Sequence, residues 1–173
     1  YWARVVRNDP TYHDTAEKRA AYRGMLETML ADYNVPAAFS FLPWAESHYN
    51  PRARNRFTGA AGLWQLMPRT ARQYGLAVGG GIDERYDPQK ATAAAARYLK
   101  DLLSIFGDDD FLLVLAAYNA GDGAILYSLK RIPDPVKDRN FWYLVQHDLI
   151  PEETQRYVLK IVALMALEEG ATE

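Results

Sequence analysis

Apolar residues recur at three- and four-residue intervals through most of this chain, and no stretch alternates apolar with polar for more than four residues. That period suits helices and leaves a strand no face to bury, so the chain is expected to be all-α with little or no sheet. Residues 15–33 carry Ala21, Tyr22, Met25, Leu26, Met29 and Leu30 along one stripe. Asn34-Val35-Pro36 ends that helix, and Pro36 can open a second one reaching about Ser47, kinked at Pro43. Pro68 opens a short helix ending near Gly75, and Gly79-Gly80-Gly81 reads as a flexible loop. Asp87-Pro88 is a cap followed by proline, starting a helix over 88–106. Phe111–Tyr118 is apolar on nearly every side and reads as the buried central helix. Gly121 and Gly123 break it, and another helix reaches about Leu129. After the loop IPDPVKDRN and the aromatic run Phe141-Trp142-Tyr143, a last helix spans Pro151 to about Glu168.

With 173 residues, the chain is long enough to bury a core as one domain over 1–173. It has no cysteine, which removes disulfides and thiol chemistry. Its three histidines (His13, His48, His147) lie far apart, so neither a metal site nor a cofactor is expected. Ser47 and His48 are adjacent and point apart on a helix, which argues against a nucleophilic pair. Gly79–Gly81 lacks the pattern and flanking strand of a phosphate loop. A net charge of −2 is too balanced for a nucleic-acid binder. No apolar run approaches the ~20 residues that span a bilayer. The chain begins at Tyr1 without a signal-peptide pattern, as expected of an excised or processed domain.

The chemistry concentrates in residues 43–76. Phe39, Phe41, Leu42 and Trp44 lead into Glu46, and a Pro/Arg/Gly-rich segment then gives way to Gly62-Leu63-Trp64-Gln65. A carboxyl closing an apolar segment is where burial raises a pKa, so that it can hold a proton for a leaving group. The plainer reading of Glu46 is a helix-end acid paired with an arginine. From Glu46 to Gly75 there are five arginines (Arg52, Arg54, Arg56, Arg69, Arg72) and no second acid. That cluster is either a solvated face or an attractor of a carboxylate-bearing substrate. The 36 residues after Glu46, up to Asp83, contain no Asp or Glu. Asp83, Glu84, Asp87 and Asp122 remain as caps or surface acids.

Five blocks occur in order: Glu46-Ser47, Asn50-Pro51, GAAGLWQLMP, Ala117-Tyr118-Asn119-Ala120-Gly121, and Glu153-Thr154 with Tyr157-Val158. Together they resemble the soluble lytic transglycosylase family, whose helical fold is similar to goose-type lysozyme with a deep glycan cleft. The resemblance covers about residues 25–168. The runs LPWAESHYNP, GLWQLMPRTARQYGL, IDERYDP and AAARYLKDL look nearest to the membrane-bound lytic murein transglycosylase D branch. The resemblance implies cleavage of the bond between N-acetylmuramic acid and N-acetylglucosamine in peptidoglycan, without water, leaving 1,6-anhydro ends. Glu46 matches the single catalytic acid that then serves as base, and Tyr118 the tyrosine that orients it. Ser47, Trp64, Gln65, Met67, Asn119 and Tyr157 match substrate-binding positions. Without the resemblance, Tyr118, Trp64 and Met67 read as core packing, Asn119 as a turn cap and Ser47 as a helix-end hydroxyl.

The family further implies a bacterial periplasmic location and glycan strands as partner. The protein would act as a monomer, with any lipid anchor or glycan-binding repeats outside these residues. Two alternatives stay open: a goose-lysozyme-like muramidase that uses water, and a catalytically weak peptidoglycan-binding scaffold. The chain also departs from the family. The loop between Glu46 and Gly62 is one residue longer than usual, Asn55 stands where a serine is usual, and Trp64 replaces the commoner methionine.

Overall fold

The computed structural model describes residues 1–107 and 109–170. Among the described residues its regular elements are helices except for one minimal hairpin, as the periodicity requires. Two compact units make it up: Tyr1–Lys100 with the chain from Ala163 onward, and Asp101–Val162.

The first unit opens with α1 (Trp2–Arg7) and α2 (Pro10–Asp14), followed by α3 (Ala16–Asp32). The first two had no expectation attached, although Asp9-Pro10 starts α2 by the same cap-then-proline device as Asp87-Pro88. The Asp9 carboxylate accepts from the Thr11 amide at 3.0 Å. α3 ends as expected before Asn34, whose φ of 57° turns the chain.

The expected helix through Pro43 is instead divided. Residues Ala37–Phe41 form a 3-10 turn packed on α3, and α4 begins afresh at Leu42 and runs to Ser47. Pro43 therefore sits in the first turn of α4, where its missing amide hydrogen has no helical partner to lose. There is no mid-helix kink.

α5 (Pro68–Gln73) is followed by β1 (Val78–Gly79) and β2 (Ile82–Asp83), paired antiparallel with Val78 opposite Asp83. The glycines expected to form a flexible loop make its tight turn. Gly80 and Gly81 both have positive φ, 59° and 85°, as a two-residue hairpin of this hand demands. After a short 3-10 turn, Glu84–Tyr86, the chain enters α6 (Pro88–Phe106). Asp87 caps α6 by accepting from the Gln89 and Lys90 amides, both at 3.0 Å. The unit's core is Leu26, Leu30, Phe39, Leu42, Leu63, Trp64, Ala94, Ala95 and Leu99, each fully buried.

In the second unit, α7 (Phe111–Ala120) is the expected buried helix, with Leu113 through Ala117 at 0% exposure. It packs against α8 (Asp122–Leu129) and α9 (Phe141–Gln146). Gly121 makes the break between α7 and α8 at φ 90°. The aromatic run is the start of α9, capped by Asn140 accepting from the Tyr143 amide at 2.9 Å. Arg139 pins the preceding loop by donating to the Phe106 carbonyl at 2.8 Å and the Asp110 carboxylate at 3.0 Å. The last helix, α10, spans Glu152–Gly170. Among the described residues no helix is long and apolar enough to cross a membrane.

Removing the Asp87 carboxylate orphans two amides at the head of α6. Asp87→Ala is expected to cost about 1 kcal/mol, read as a lower midpoint in urea unfolding with an unchanged slope.

Candidate active site

Glu46 lies in the last turn of α4, partly buried. The helix is anchored by its first turn, where Leu42, Pro43 and Trp44 are buried. Past Ser47 the chain turns sharply, with His48 and Tyr49 both left-handed at φ 51° and 54°. Tyr49 is buried and its hydroxyl donates to the Ser40 carbonyl at 3.1 Å. Burial pushes that hydroxyl far above the ordinary tyrosine range, so it is a fixed neutral donor that locks the turn.

Ser47 fastens the end of α4 to the following loop. Its hydroxyl donates to the Leu63 carbonyl at 2.7 Å, with the Pro43 carbonyl at 3.2 Å as a weaker second acceptor. Leu63 belongs to Gly62-Leu63-Trp64-Gln65, so the acid's helix and the aromatic-amide cluster are joined one residue from Glu46.

That loop has almost no regular structure, only isolated bridges from Ala61 to Arg54 and to Leu66. A side chain holds it. Arg85 is 4% exposed and donates through Nη1 to the carbonyls of Gly59 at 2.7 Å and Leu66 at 2.9 Å. Its remaining face forms a fork with Asp83, Nε to Oδ1 at 2.9 Å and Nη2 to Oδ2 at 2.7 Å. The hydrogen bond from Arg85, with its charge, holds the Asp83 carboxyl below the usual aspartate range. Gly62 has φ 82°, and a Cβ there would stand 1.8 Å from the Arg85 carbonyl oxygen. Only glycine fits that approach.

The other residues of interest in this unit are placed as follows. Trp64 is fully buried, and its indole donates to the Thr92 hydroxyl at 2.9 Å, which itself donates to the Pro88 carbonyl. It braces the loop against α6 from within the core. Gln65 is partly buried with φ 48°, and its amide nitrogen donates to the carbonyls of Gly62 at 2.9 Å and Ala53 at 3.2 Å. Met67 is 43% exposed. Asn55 is a turn former: its Oδ1 accepts from the Phe57 and Thr58 amides at 2.9 and 3.1 Å.

The first acids after Glu46 in the sequence are committed elsewhere. Asp83 pairs with Arg85, and Asp87 caps α6. Glu84 binds Lys90 at 2.6 Å and the Ala77 amide at 2.7 Å, with its pKa lowered first by the lysine. Asp122 is exposed in the first turn of α8.

In the second unit Tyr118 and Asn119 end α7, the tyrosine partly buried and the asparagine exposed. Asn119 Oδ1 accepts from the Thr154 hydroxyl at 2.9 Å, and Thr154 is only 2% exposed. Tyr157 lies one turn further along α10, partly buried. Among the described residues no group of three or more His, Asp or Glu is placed to hold a metal ion.

The family model described as the transglycosylase SLT domain matches residues 25–140. The chain belongs to that family. This SLT domain is 34% identical over 161 residues to membrane-bound lytic murein transglycosylase D of Escherichia coli strain K12, covering 93% of the chain and 34% of that protein. It thus spans about a third of the length of the first curated relatives it matches. Among solved structures, an inactive Glu-to-Gln mutant of lytic transglycosylase Slt from Pseudomonas aeruginosa superposes with a TM-score of 0.68 at 26% identity. That match covers 83% of this chain and 23% of the other. The 70 kDa soluble lytic transglycosylase of Escherichia coli gives 0.64 at 21% identity, covering 94% and 31%, and shows a shared fold.

The role of Arg85 had no expectation attached. The only trace in the sequence is an arginine two residues after Asp83 inside IDERYDP, which does not reveal burial. Because the Asp83 pKa is lowered on folding, its contribution is complete above the unfolded value of about 3.9 and lost as pH falls through the folded value. Asp83→Asn is therefore expected to cost about 2 kcal/mol near pH 7. The cost should shrink towards zero as pH falls through the folded value, as followed by urea unfolding of both proteins across pH.

Proposed function

We propose that this SLT domain is a peptidoglycan lytic transglycosylase with Glu46 as its acid and then its base. Protonated Glu46 gives its proton to the oxygen between N-acetylmuramic acid and N-acetylglucosamine as the muramic C1–O bond breaks. The muramic N-acetyl oxygen steadies the positive charge at C1. The muramic C6 hydroxyl then attacks C1, its proton passes to the Glu46 carboxylate, and a 1,6-anhydro ring closes. The acid is regenerated and no water is consumed.

The observation that carries this reading is that no Asp or Glu follows Glu46 until Asp83. Glu46 is the one carboxyl on α4 and the loop that α4 is tied to, while Asp83, Glu84 and Asp87 are engaged by Arg85, Lys90 and the head of α6. Paired-carboxylate glycosidases need a second acid about 5–9 Å from the first, whereas participation by the substrate's own acetamido group needs only one. The inactive Glu-to-Gln mutant among the solved relatives supports giving the role to a glutamate. The murein named for the Escherichia coli relative supports the substrate.

Within this reading Ser47 sets the position of α4's end, Gln65 offers its amide oxygen to the sugar while its nitrogen stays on the Ala53 and Gly62 carbonyls, and Met67 offers a thioether. Trp64 acts from beneath, by holding the loop. The roles of Tyr118, Asn119 and Tyr157 rest on the motif match. The reading places the domain in the bacterial cell envelope, acting as a monomer on glycan strands without a cofactor. Any anchor or glycan-binding repeat belongs to other parts of the protein.

Glu46→Gln keeps size and hydrogen bonding while removing the transferable proton. Cleavage of purified peptidoglycan is expected to fall by about 10³-fold or more, with sedimentation onto the sacculus retained. Turnover at the parental rate by the variant would overturn the assignment.

A further inference from the structure

None of the five arginines that follow Glu46 has a part in the mechanism above, and two of them shape a surface. Arg54, Asn55, Arg56 and Phe57 line an open depression of about 460 Å³, with Ala53 and Gln65 completing it. Arg54 and Arg56 are exposed, and among the described residues neither makes an ion pair or a side-chain hydrogen bond. Asp83, the acid whose charge Arg54 feels, is already neutralised by the Arg85 fork. Phe57 is completely exposed, at 101% of its reference area.

This segment is nonetheless a defined turn. Asn55 accepts from the Phe57 and Thr58 amides, the Gly59 amide donates to the Asn55 carbonyl at 2.9 Å, and Arg85 holds the Gly59 carbonyl. Two guanidiniums and a phenyl ring are thus presented together on a braced loop, at a cost in exposed apolar area that packing within the unit does not repay. The depression is also linked to the acid. Gln65 donates to the Gly62 carbonyl, and the next residue, Leu63, accepts from Ser47.

Resting on the lytic transglycosylase reading, we propose that this depression binds the stem peptides of the glycan strand. Arg54 and Arg56 would pair with peptide carboxylates, and Phe57 would be covered by the peptide's aliphatic side chains. A strand stripped of its peptides offers only the one carboxylate on the short lactyl group of each muramic acid, against two guanidiniums. Stem peptides bring several carboxylates per repeat, and a planar guanidinium takes a carboxylate through two parallel hydrogen bonds. The consequence is a preference for peptide-bearing over stripped strands, expressed in binding and KM rather than in kcat.

The test uses soluble glycan strands with intact stem peptides and the same strands stripped by an amidase. Affinities are measured by fluorescence anisotropy in the Glu46→Gln background, so that binding is read without turnover. Peptide-bearing strands are expected to bind about fivefold tighter at low salt, as two exposed ion pairs allow. The preference should fade as salt rises. The double variant Arg54→Gln/Arg56→Gln should lose the preference while binding stripped strands as before, with kcat on stripped strands unchanged when Glu46 is present. Equal affinity for the two strands, or a preference that survives the double substitution, would overturn the proposal. So would pyrophosphate competing as well as a free stem peptide at equal ionic strength, because the patch would then be a general anion site. Failure of the Glu46 enzyme to cleave either strand would instead sink the transglycosylase reading, and the anisotropy would still decide this one.

Discussion

The Arg85 guanidinium is the interaction on which the loop after Glu46 depends. A loop of this length without a backbone ladder must find other partners for its buried carbonyls, since leaving one unsatisfied costs about 1–3 kcal/mol. Arg85 serves two carbonyls and one carboxylate at once. A lysine has neither the donors nor the planar fork to do the same. The close approach that this requires brings the Arg85 backbone against residue 62 and leaves room only for glycine. With Gly62 fixed, the Leu63 carbonyl is in place for Ser47, and Ser47 holds the turn of α4 that carries Glu46. An acid on a short six-residue helix thereby inherits the rigidity of a buried ion pair elsewhere in its unit.

Much of the helical framework was legible because its signals are local. The cap-and-proline at Asp87-Pro88, the stripe of α3 and the uniformly apolar α7 all came through with bounds within a residue or two. Pro43 reads as a kink from sequence, yet proline disrupts only a helix already under way, and whether one is under way depends on how Ala37–Phe41 packs against α3. The glycines at 79–81 read as flexible because their freedom is intrinsic, whereas the strands they join are two residues each and carry no readable alternation. α1 and α2 lack a strong apolar stripe, although the cap at Asp9 was there to read.

For the candidate site, the placing of Glu46 after an apolar segment and the lack of Asp or Glu over 47–82 could be read directly, since both are facts of spacing. The standing of each arginine could not be. In one stretch of sequence Arg72 donates to the Val78 carbonyl, while among the described residues Arg54 and Arg56 make no side-chain hydrogen bond or ion pair. Arg85, outside the cluster, is the one that is buried. Trp64 illustrates the same limit. An aromatic beside a catalytic loop can face a ligand or the core, and only the Thr92 hydroxyl opposite its indole says which.

The account's central claim is that Glu46 works alone, as acid and then as base, with the sugar's own hydroxyl taking the place of water. The mass of the fragments released from purified peptidoglycan tests it most directly. The account predicts muropeptides ending in 1,6-anhydro-muramic acid, lighter by one water than reducing-end products, and none from Glu46→Gln. Reducing ends in the parental digest would contradict it and would mean that a water molecule, activated in this site, attacks C1 as in a muramidase.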